Sequence, residues 1–313
     1  IALMVGSGIG AKNGILIRKG EAIQTMKDVK IIIFDKTGTV TKGKPEVTDI
    51  YSNVKKNYLL EIAGSLERLS EHPIARAVVE KAELKKYKQV KSFKILRGKG
   101  VEGVIGKKKI LIGNRVLMKE RKINLEDFEK IIEGFENNGK TVMVVSENKE
   151  VLGVIAVADA IKEDSAEAIG VLNNAGYRTI MITGDNERTA RAIAKQTGIK
   201  EVIANVLPED KARKVSELQK ELGRRGFVAF VGDGINDAPA LKQSNVGIAM
   251  GSGTDIAIEA GDLVLAKSSL IGVVQGIRLS RATFRKIKQN LFWAFAYNVI
   301  AIPLAVLGLL HPI

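Results

Sequence analysis

Short apolar runs that end in polar turns recur along most of the chain. They predict strands, because such runs are rich in Ile, Val and Phe and are too short for a helix. Over much of the chain they alternate with amphipathic stretches of helical spacing, which is typical of a parallel sheet with helices on both faces. The strands predicted for this sheet cover residues 29–35, 179–183, 202–204, 227–232, 246–250 and 263–266.

A segment of different character interrupts this alternation. Gly43-Lys44-Pro45 is predicted to break the pattern after the first strand and to act as a hinge. The residues that follow are predicted to form an inserted α+β domain with an antiparallel sheet, and Pro73 is predicted to open one of its helices. Its predicted helices cover 58–70, 73–86 and 125–137, and its predicted strands cover 90–95, 101–105, 109–112, 141–146 and 151–157.

The end of the chain is strongly apolar. Residues 291–310 form a run of 20 residues without a charge, which is long enough to cross a hydrocarbon core of about 30 Å as a helix. The run contains Trp293 and follows five basic residues, and a basic flank indicates a cytoplasmic end. A transmembrane helix is therefore expected, with a buried core helix as the alternative. The basic residues are Arg278, Arg281, Arg285, Lys286 and Lys288.

These patterns divide the chain into four expected parts. Residues 1–26 are apolar, rich in glycine and then basic, as expected for the end of a membrane helix and a linker. Residues 27–45 and 154–270 form one discontinuous α/β domain, and residues 46–153 form the inserted domain. Residues 271–313 form a cytoplasmic extension and the transmembrane helix.

The composition narrows the possible functions. The formal net charge is +14, but the charge is spread along the chain with few aromatic residues among it, so a stacking surface for nucleic acid is not expected. The chain contains no cysteine, which excludes thiolate metal sites, cysteine nucleophiles and disulfides within it. No signal peptide is visible, and the chain begins with Ile1 rather than Met, so a piece of a longer protein is expected.

The strand at residues 29–35 ends in a carboxylate, Asp35, and the polar turn Lys36-Thr37-Gly38-Thr39 follows at once. Ligands bind at the carboxyl ends of strands in open α/β sheets. A carboxylate in that place can attack phosphorus and become an acyl phosphate. Asp35 is therefore a candidate nucleophile, although a strand that ends in Asp is common and indicates little by itself.

Two further polar segments are expected near Asp35. Thr183-Gly184-Asp185-Asn186 opens a helix, where backbone amides suit a phosphoryl oxygen, although an ordinary cap by Asp185 or Asn186 is the alternative. Lys211 lies in the first turn of a helix that Pro208 begins. Because cations favour the last turn of a helix, an early lysine indicates an anionic partner.

The most specific segment is the decapeptide at residues 232–241, GDGINDAPAL. It places Asp233 and Asp237 four residues apart beside two glycines, and hard carboxylate oxygens suit Mg²⁺. Two neighbouring carboxylates repel each other, and a bound cation relieves that repulsion.

Together the four segments resemble the motifs of the haloacid dehalogenase superfamily in their P-type ATPase version, and DKTGTVT at 35–41 resembles the phosphorylation signature of these ATPases. The resemblance implies a doubly wound parallel sheet and an aspartyl phosphate formed on Asp35 from Mg·ATP. It assigns Mg²⁺ to Asp35, Asp233 and the carbonyl of Thr37, with support from Asp237. The remaining catalytic set that it implies is Lys36, Thr183, Gly184, Asp185, Lys211 and Asn236.

Thr37 separates two classes of this superfamily. The soluble phosphatases resemble a DxD pattern, in which a second Asp two residues after the nucleophile acts as acid and base. Here that residue is Thr37, whose hydroxyl is a poor base near neutral pH. A persistent aspartyl phosphate is therefore expected, which favours a pump over a phosphatase.

The inserted domain contains Ser70-Glu71-His72-Pro73-Ile74, which resembles the nucleotide-domain signature of the heavy-metal-transporting P-type ATPases. A helix cap by His72 is the alternative. The resemblance assigns the adenine end of ATP to Glu67 and His72, and completes the nucleotide pocket with Gly98, Gly100, Gly113 and Asn114. Gly98, Gly100 and Gly103 also match GxGxxG, but the strands predicted after them argue against a dinucleotide fold.

The apolar segment suggests the transported ion. Polar side chains inside a membrane span are energetically costly unless they bind a ligand or pair with another polar group. Tyr297-Asn298, with the later Pro303, resembles a membrane span of the copper(I)-exporting branch of the P-type ATPases. Tyr297 and Asn298 are thus the expected ligands of transported Cu⁺, with zinc or silver transport as alternatives.

The expected protein is a multi-pass cell-membrane pump with cytoplasmic catalytic domains. Its expected partners are ATP, the copper ion, membrane lipid, an actuator domain and further membrane helices outside this chain, and a copper chaperone; nucleic acid is not expected. A soluble phosphatase of the same fold and a nucleotide-sensing module are the alternative functions.

Overall fold

The computed structural model describes residues 2–307, which form two β-sheets and a set of helices. The helices are α1 (Ala2–Lys12), α2 (Gly20–Met26), α3 (Lys56–Glu67), α4 (Pro73–Ala82), α5 (Arg115–Glu120), α6 (Glu126–Asn137), α7 (Ser165–Asn174), α8 (Glu187–Thr197), α9 (Lys211–Leu222), α10 (Ala238–Gln243), α11 (Asp255–Ala260) and α12 (Ile271–Val306). The strands are β1 (Ile15–Ile17), β2 (Val29–Asp35), β3 (Thr41–Ser52), β4 (Val90–Leu96), β5 (Gly100–Ile105), β6 (Lys108–Gly113), β7 (Thr141–Glu147), β8 (Glu150–Ile161), β9 (Arg178–Ile182), β10 (Glu201–Ile203), β11 (Phe227–Gly232), β12 (Val246–Met250) and β13 (Leu263–Leu265).

The first sheet has seven strands in the order β1-β13-β12-β11-β2-β9-β10. All neighbouring strands are parallel except β1, which pairs antiparallel with β13. Successive residues of β2 alternate between the two faces. Ile32 and Phe34 pack toward α7, α8 and α12, whereas Ile31 and Ile33 pack toward α9, α10 and α11. The predicted α/β architecture with helices on both faces is confirmed.

The sheet order brings the polar strand ends together. β2 lies between β9 and β11, with Asp35 opposite Ile182 of β9 and Phe34 opposite Val231 of β11. Because these strands are parallel, their carboxyl ends meet at one edge of the sheet. Asp35, Thr183 and Asp233 therefore end on the same side of the molecule.

The second sheet is antiparallel throughout, with six strands in the order β3-β8-β7-β6-β5-β4. Helices α3 and α4 cover one face, where Leu59 and Ile62 pack on Ile110. Helices α5 and α6 cover the other face, where Leu117 and Phe128 are buried. The predicted antiparallel α+β sheet is confirmed.

Strand β3 was not predicted, and residues 43–45 within it were expected to break the chain as a hinge. The strand continues through this segment, but its pairing with β8 is irregular between Thr41 and Pro45. β3 is an edge strand, and a proline is tolerated at an edge because its missing N–H removes no bond from the interior of the sheet. The predicted break is therefore a local irregularity within a strand.

The N-terminal segment also contains an element that was not predicted, the edge strand β1. It has only three residues, which is too short for a periodic pattern to indicate. Before it, α1 packs against α12, where a Cβ added to Gly6 would lie 2.6 Å from Thr283 Oγ1. Only glycine allows this close approach of the two helices.

The last helix, α12, changes character along its length. Its first part buries Val273, Val274 and Ile277 against the first sheet, whereas Phe292 and Trp293 in the second part are 64% and 63% exposed. The helix is long and apolar enough to cross a membrane. Its apolar window is not buried, so the alternative of a buried core helix is wrong. Residue 1, residues 308–310 of the predicted span and residues 311–313 lie outside the described residues.

Candidate active site

Asp35 ends β2 and is buried. Its Oδ1 accepts a hydrogen bond from Lys211 Nζ at 2.6 Å, and the same ammonium lies 2.7 Å from Asp237 Oδ1. Burial opposes the charge of Lys211, but the carboxylates of Asp35 and Asp237 outweigh it and raise the lysine pKa. The early lysine of α9 thus faces two acids in this structure.

Asp35, Asp233 and Asp237 form an acidic cluster, since one carboxylate oxygen of each lies within 4.8 Å of the others. Burial, followed by the charge of Asp237, raises the pKa of Asp35 to about 7 and that of Asp233 to about 6. Lys211 forms ion pairs with Asp35 and Asp237, and Lys162 also faces Asp233 without an ion pair to it, so the three acids are only partly balanced. A set of hard oxygen donors with excess negative charge fits a divalent cation such as Mg²⁺.

Gly38 brings the loop after β2 against this cluster. Its φ is +75°, and a Cβ at this position would lie 1.8 Å from Asp233 Oδ2. Both the left-handed backbone and the close approach therefore require glycine. The loop that carries Thr37 is in this way held beside the Asp233 carboxylate.

Asp237 holds the turn after β11 and also faces Lys211. Its Oδ2 accepts hydrogen bonds from the backbone N–H groups of Asp233 at 3.2 Å and Gly234 at 3.1 Å. The two oxygens of Asp237 are thus divided between the turn and the ammonium. Asn236 in the same turn is exposed.

A second ion pair lies beside the cluster. Lys36 Nζ is 2.6 Å from Asp185 Oδ2, and Thr141 Oγ1 of the second sheet donates to Asp185 Oδ1 at 3.0 Å. Burial opposes both charges, but the pairing lowers the pKa of Asp185 and raises that of Lys36. Thr183 is buried and accepts from the backbone N–H of Asp185 at 3.1 Å, whereas Gly184 is exposed.

Two side chains that the sequence reasoning missed support the loop from behind. Asp159 accepts from Thr41 Oγ1 at 2.5 Å and from the Gly43 N–H at 3.1 Å. Lys162 Nζ donates to the Gly38 carbonyl at 2.6 Å, and burial lowers the pKa of Lys162. An acid near the end of β8 and a lysine directly after this strand, where the chain returns to the first sheet, were the available signal.

Four of the predicted nucleotide residues lie together, in or next to β5 and β6 of the second sheet. Asn114 Nδ2 donates to the Gly98 carbonyl at 2.9 Å. Gly100 has a φ of +145°, and a Cβ on it would lie 2.5 Å from Gly113 Cα. The neighbouring backbones leave no room for side chains at Gly100 and Gly113. Asn114 also caps α5 by accepting from the Leu117 N–H at 3.1 Å.

Glu67 and His72 lie at neighbouring helix ends. Glu67 ends α3 and is buried, and burial raises its pKa to about 7. His72 precedes α4, and its Nδ1 accepts from the Ile74 N–H at 3.2 Å. His72 thus caps α4, as the alternative predicted. The cap uses Nδ1 of His72 and leaves Nε2 out.

Tyr297 and Asn298 lie on the second part of α12. Tyr297 is 72% exposed, and Asn298 Nδ2 donates to the Ala294 carbonyl of its own helix at 2.9 Å. The two residues are adjacent in sequence and lie on α12, not in the acidic cluster of Asp35, Asp233 and Asp237. Their role as ion ligands remains a prediction.

Known proteins resemble this chain in sequence. A family model described as haloacid dehalogenase-like hydrolase matches residues 29–245. The copper-exporting P-type ATPase of Staphylococcus saprophyticus subsp. saprophyticus is 44% identical over 99% of this chain and 39% of its own length. The corresponding protein of Staphylococcus haemolyticus is 46% identical over the same shares. The chain therefore spans about two fifths of the length of the curated relatives that it matches.

Solved structures resemble it in fold as well. A zinc-transporting PIB-type ATPase in the E2.Pi state is 39% identical with a TM-score of 0.71, and the match covers 99% of this chain and 50% of that one. The catalytic domain of the CPx-ATPase CopB-B is 30% identical with a TM-score of 0.66. That match covers 88% of this chain and 98% of the domain.

Proposed function

The chain belongs to the haloacid dehalogenase-like hydrolases and, among them, to the P-type ATPases, and we propose that it is the ATP-using part of a Cu⁺ exporter that becomes phosphorylated on Asp35. Residues 27–45 and 154–270 would form the phosphorylation domain, and residues 46–153 the nucleotide-binding domain. The observation that supports this most is the contact of Lys211 with Asp35 beside Asp233.

Asp35 is the proposed nucleophile. One of its carboxylate oxygens would attack the γ-phosphorus of ATP. A P–O bond would form on Asp35 as the bond from the γ-phosphorus to the bridging oxygen breaks, and ADP would leave with that electron pair. Lys211 counteracts the effect of burial on Asp35 and favours the ionised carboxylate that this attack needs.

Mg²⁺ would be held by Asp35 and Asp233, with the Thr37 carbonyl and Asp237 beside them, and when bound it neutralises charge on the transferred group. Phosphoryl transfer depends mostly on position and charge. Lys211, Thr183 and Asn236 are the proposed contacts of the phosphoryl oxygens. The Lys36–Asp185 pair and Gly184 would shape the same edge of the site.

Thr37 would make the aspartyl phosphate on Asp35 long-lived. The residue two positions after the nucleophile has no carboxylate, so no acid or base stands there to activate water. A long-lived phosphoenzyme is what a machine that couples phosphorylation to movement requires. The proposal of a soluble phosphatase is not favoured, because the relatives that the chain matches are P-type ATPases.

The remaining assignments are proposed for the whole transporter. Glu67 and His72 would contact the adenine of ATP, with Gly98, Gly100, Gly113 and Asn114 around the nucleotide. The second part of α12 would cross the cell membrane among lipid, with the catalytic domains in the cytoplasm. Tyr297 and Asn298 would be ligands of Cu⁺, which a copper chaperone would deliver.

The test is phosphorylation of the full-length protein by γ-labelled ATP with Mg²⁺. We expect an acid-stable label that hydroxylamine removes, that is absent from Asp35→Asn and that is retained in Asp127→Asn, which removes an exposed carboxylate from α6. Absence of label from the folded protein would overturn the proposal. Comparing stimulation by Cu⁺ and Zn²⁺ would test the ion, because one similar structure is a zinc transporter.

A further inference from the structure

Residues 162–164, here called the linking segment, contact both the loop after Asp35 and the start of α12. From these contacts we infer that Lys162 is a positioning residue that transmits a change at the phosphorylated loop to the first turn of α12. The inference rests on the proposed function, because it requires a phosphoryl group to arrive at Asp35. It adds a route from the site to the helix proposed to enter the membrane.

The first end of this route is the loop. Lys162 Nζ donates to the Gly38 carbonyl at 2.6 Å, and the Lys162 backbone N–H donates to the Val40 carbonyl at 3.1 Å. Gly38 is the residue whose backbone is packed against Asp233 Oδ2. A displacement of Asp233 or of the loop therefore reaches the ammonium of Lys162 directly.

The second end is the start of α12. The same Lys162 ammonium donates to the Ser268 carbonyl at 3.0 Å. Two residues on, Asp164 Oδ2 accepts from Ser269 Oγ at 2.5 Å and from the Ile271 N–H at 3.1 Å. A carboxylate at this place satisfies a free amide of the first turn and interacts favourably with the helix N-terminus.

Lys162 is suited to join the two ends. An ammonium has three donors, and here two of them bind carbonyls that are 230 residues apart in sequence, Gly38 and Ser268. The charge faces Asp233, Asp164 and Asp159, so its surroundings change when a cation and a phosphoryl group enter the acidic cluster. Coupling between distant sites needs such a contiguous set of contacts with two arrangements.

The helix can carry the change further. α12 is continuous from Ile271 to Val306, and at a rise of about 1.5 Å per residue its 36 residues extend about 54 Å. A shift of its first turn therefore moves the exposed apolar part as well. Glu163 lies between the two linking side chains, its own side chain is 93% exposed, and it lies 3.4 Å from Lys42 at the surface. It therefore provides a matched control.

The test is amide hydrogen exchange of the full-length protein in detergent, with and without Mg²⁺ and beryllium fluoride, which imitates a phosphoryl group on a carboxylate. In the unsubstituted protein, we expect Mg²⁺ and beryllium fluoride together to change the rate of amide hydrogen exchange in residues 36–41 and in residues 268–274. Lys162→Met is expected to keep the change at 36–41 and to lose the change at 268–274. Lys162→Arg should restore it, and Glu163→Gln should behave as the unsubstituted protein.

Asp164→Ala is a second variant, since it breaks the helix end of the route and leaves Lys162 in place. It is expected to lose the change at 268–274 as well. A change at 268–274 that survives Lys162→Met would overturn the inference and leave the proposed function standing. So would the absence of a change at 268–274 in the unsubstituted protein when residues 36–41 respond. If neither segment responds in the unsubstituted protein, the proposed function fails and the inference fails with it.

Discussion

Lys211 Nζ lies 2.6 Å from Asp35 Oδ1, although 176 residues separate the two in sequence. Lys211 is the first residue of α9, and Asp35 is the last residue of β2. Their contact means that the proposed nucleophile is not an isolated carboxylate in this structure. It also means that substitution of the lysine should affect both stability and chemistry.

We predict that Lys211→Met abolishes the labelled phosphoenzyme and lowers the free energy of unfolding by about 3–5 kcal/mol in the absence of Mg²⁺. The reason is that the substitution leaves buried carboxylates without their counter-charge, which costs this much when one partner of a buried pair is removed. Urea denaturation and ATP labelling measure the two effects. Added Mg²⁺ should recover part of the stability.

The control for this prediction is Lys214→Met, one turn further along α9. Lys214 pairs with Glu217 at 2.7 Å near the surface, and such pairs contribute about 0–1 kcal/mol. Equal losses in the two variants would contradict the special position of Lys211.

We predict that Gly38→Ala impairs phosphorylation more than its backbone strain explains. A Cβ would lie 1.8 Å from Asp233 Oδ2, so either the loop or the carboxylate must move. The left-handed conformation alone costs about 1–2 kcal/mol for a residue with a Cβ. The measurements are the free energy of unfolding and the Mg²⁺ concentration needed for half-maximal labelling, which should increase.

Gly198→Ala separates strain from contact. Gly198 has a φ of +78°, close to that of Gly38, and a Cβ there meets nothing within 4 Å. This variant should lose only the strain of about 1–2 kcal/mol and keep its Mg²⁺ dependence. If Gly38→Ala shows the same Mg²⁺ dependence as Gly198→Ala, the close approach to Asp233 has no functional role.

We predict a pH-dependent gain in stability for Glu67→Gln. Burial raises the pKa of Glu67 in the folded state from 4.5 to about 7, so between these values the folded state keeps a proton that the unfolded state has released. The contribution of Glu67 to the free energy of unfolding is therefore fully present below pH 4.5 and is lost as the pH rises to about 7. Above pH 7 the substitution should stabilise the protein by up to about 3 kcal/mol, and near pH 4 by little.

Urea denaturation at pH 4.5 and pH 8 measures this difference. Glu71→Gln removes the same charge from an exposed position nearby and should change stability equally at both pH values. A constant difference between Glu67→Gln and the unsubstituted protein across this range would show that Glu67 is not the group responsible.

We predict that Thr141→Val slows phosphoenzyme formation and destabilises the fold. The hydroxyl donates to Asp185 at 3.0 Å, and a buried charged acceptor that loses a donor costs about 1–3 kcal/mol. Without this hydrogen bond the Asp185 carboxylate would be less well fixed, and its ion pair with Lys36 would position the lysine less well beside Asp35. Rapid-quench labelling measures the rate, and Thr141→Ser, which keeps the hydroxyl, should behave almost as the unsubstituted protein. Equal rates in the Val and Ser variants would count against this role.

The sequence alone indicated the two sheets and most of their strands. The bounds of β2, β11 and β12 agree with the predicted ranges, because buried strands of a parallel sheet are continuous apolar runs that end in polar turns. The edge strands β1 and β3 were both missed. Edge strands obey weaker patterns, since one side of each makes no pairing within the sheet and tolerates residues such as Pro45.

The sequence also determined the chemical types at the site, namely Asp35, the acids of the 232–241 turn, and Thr37 in place of a second acid. Only the tertiary structure decided that Lys211 contacts both Asp35 and Asp237, and that Lys162 joins the Gly38 and Ser268 carbonyls. The physical reason is the separation in sequence between the residues that make contact. Local patterns record which face of a strand or helix is buried, whereas these contacts are made between side chains that approach one another only when distant strands share an edge of the sheet.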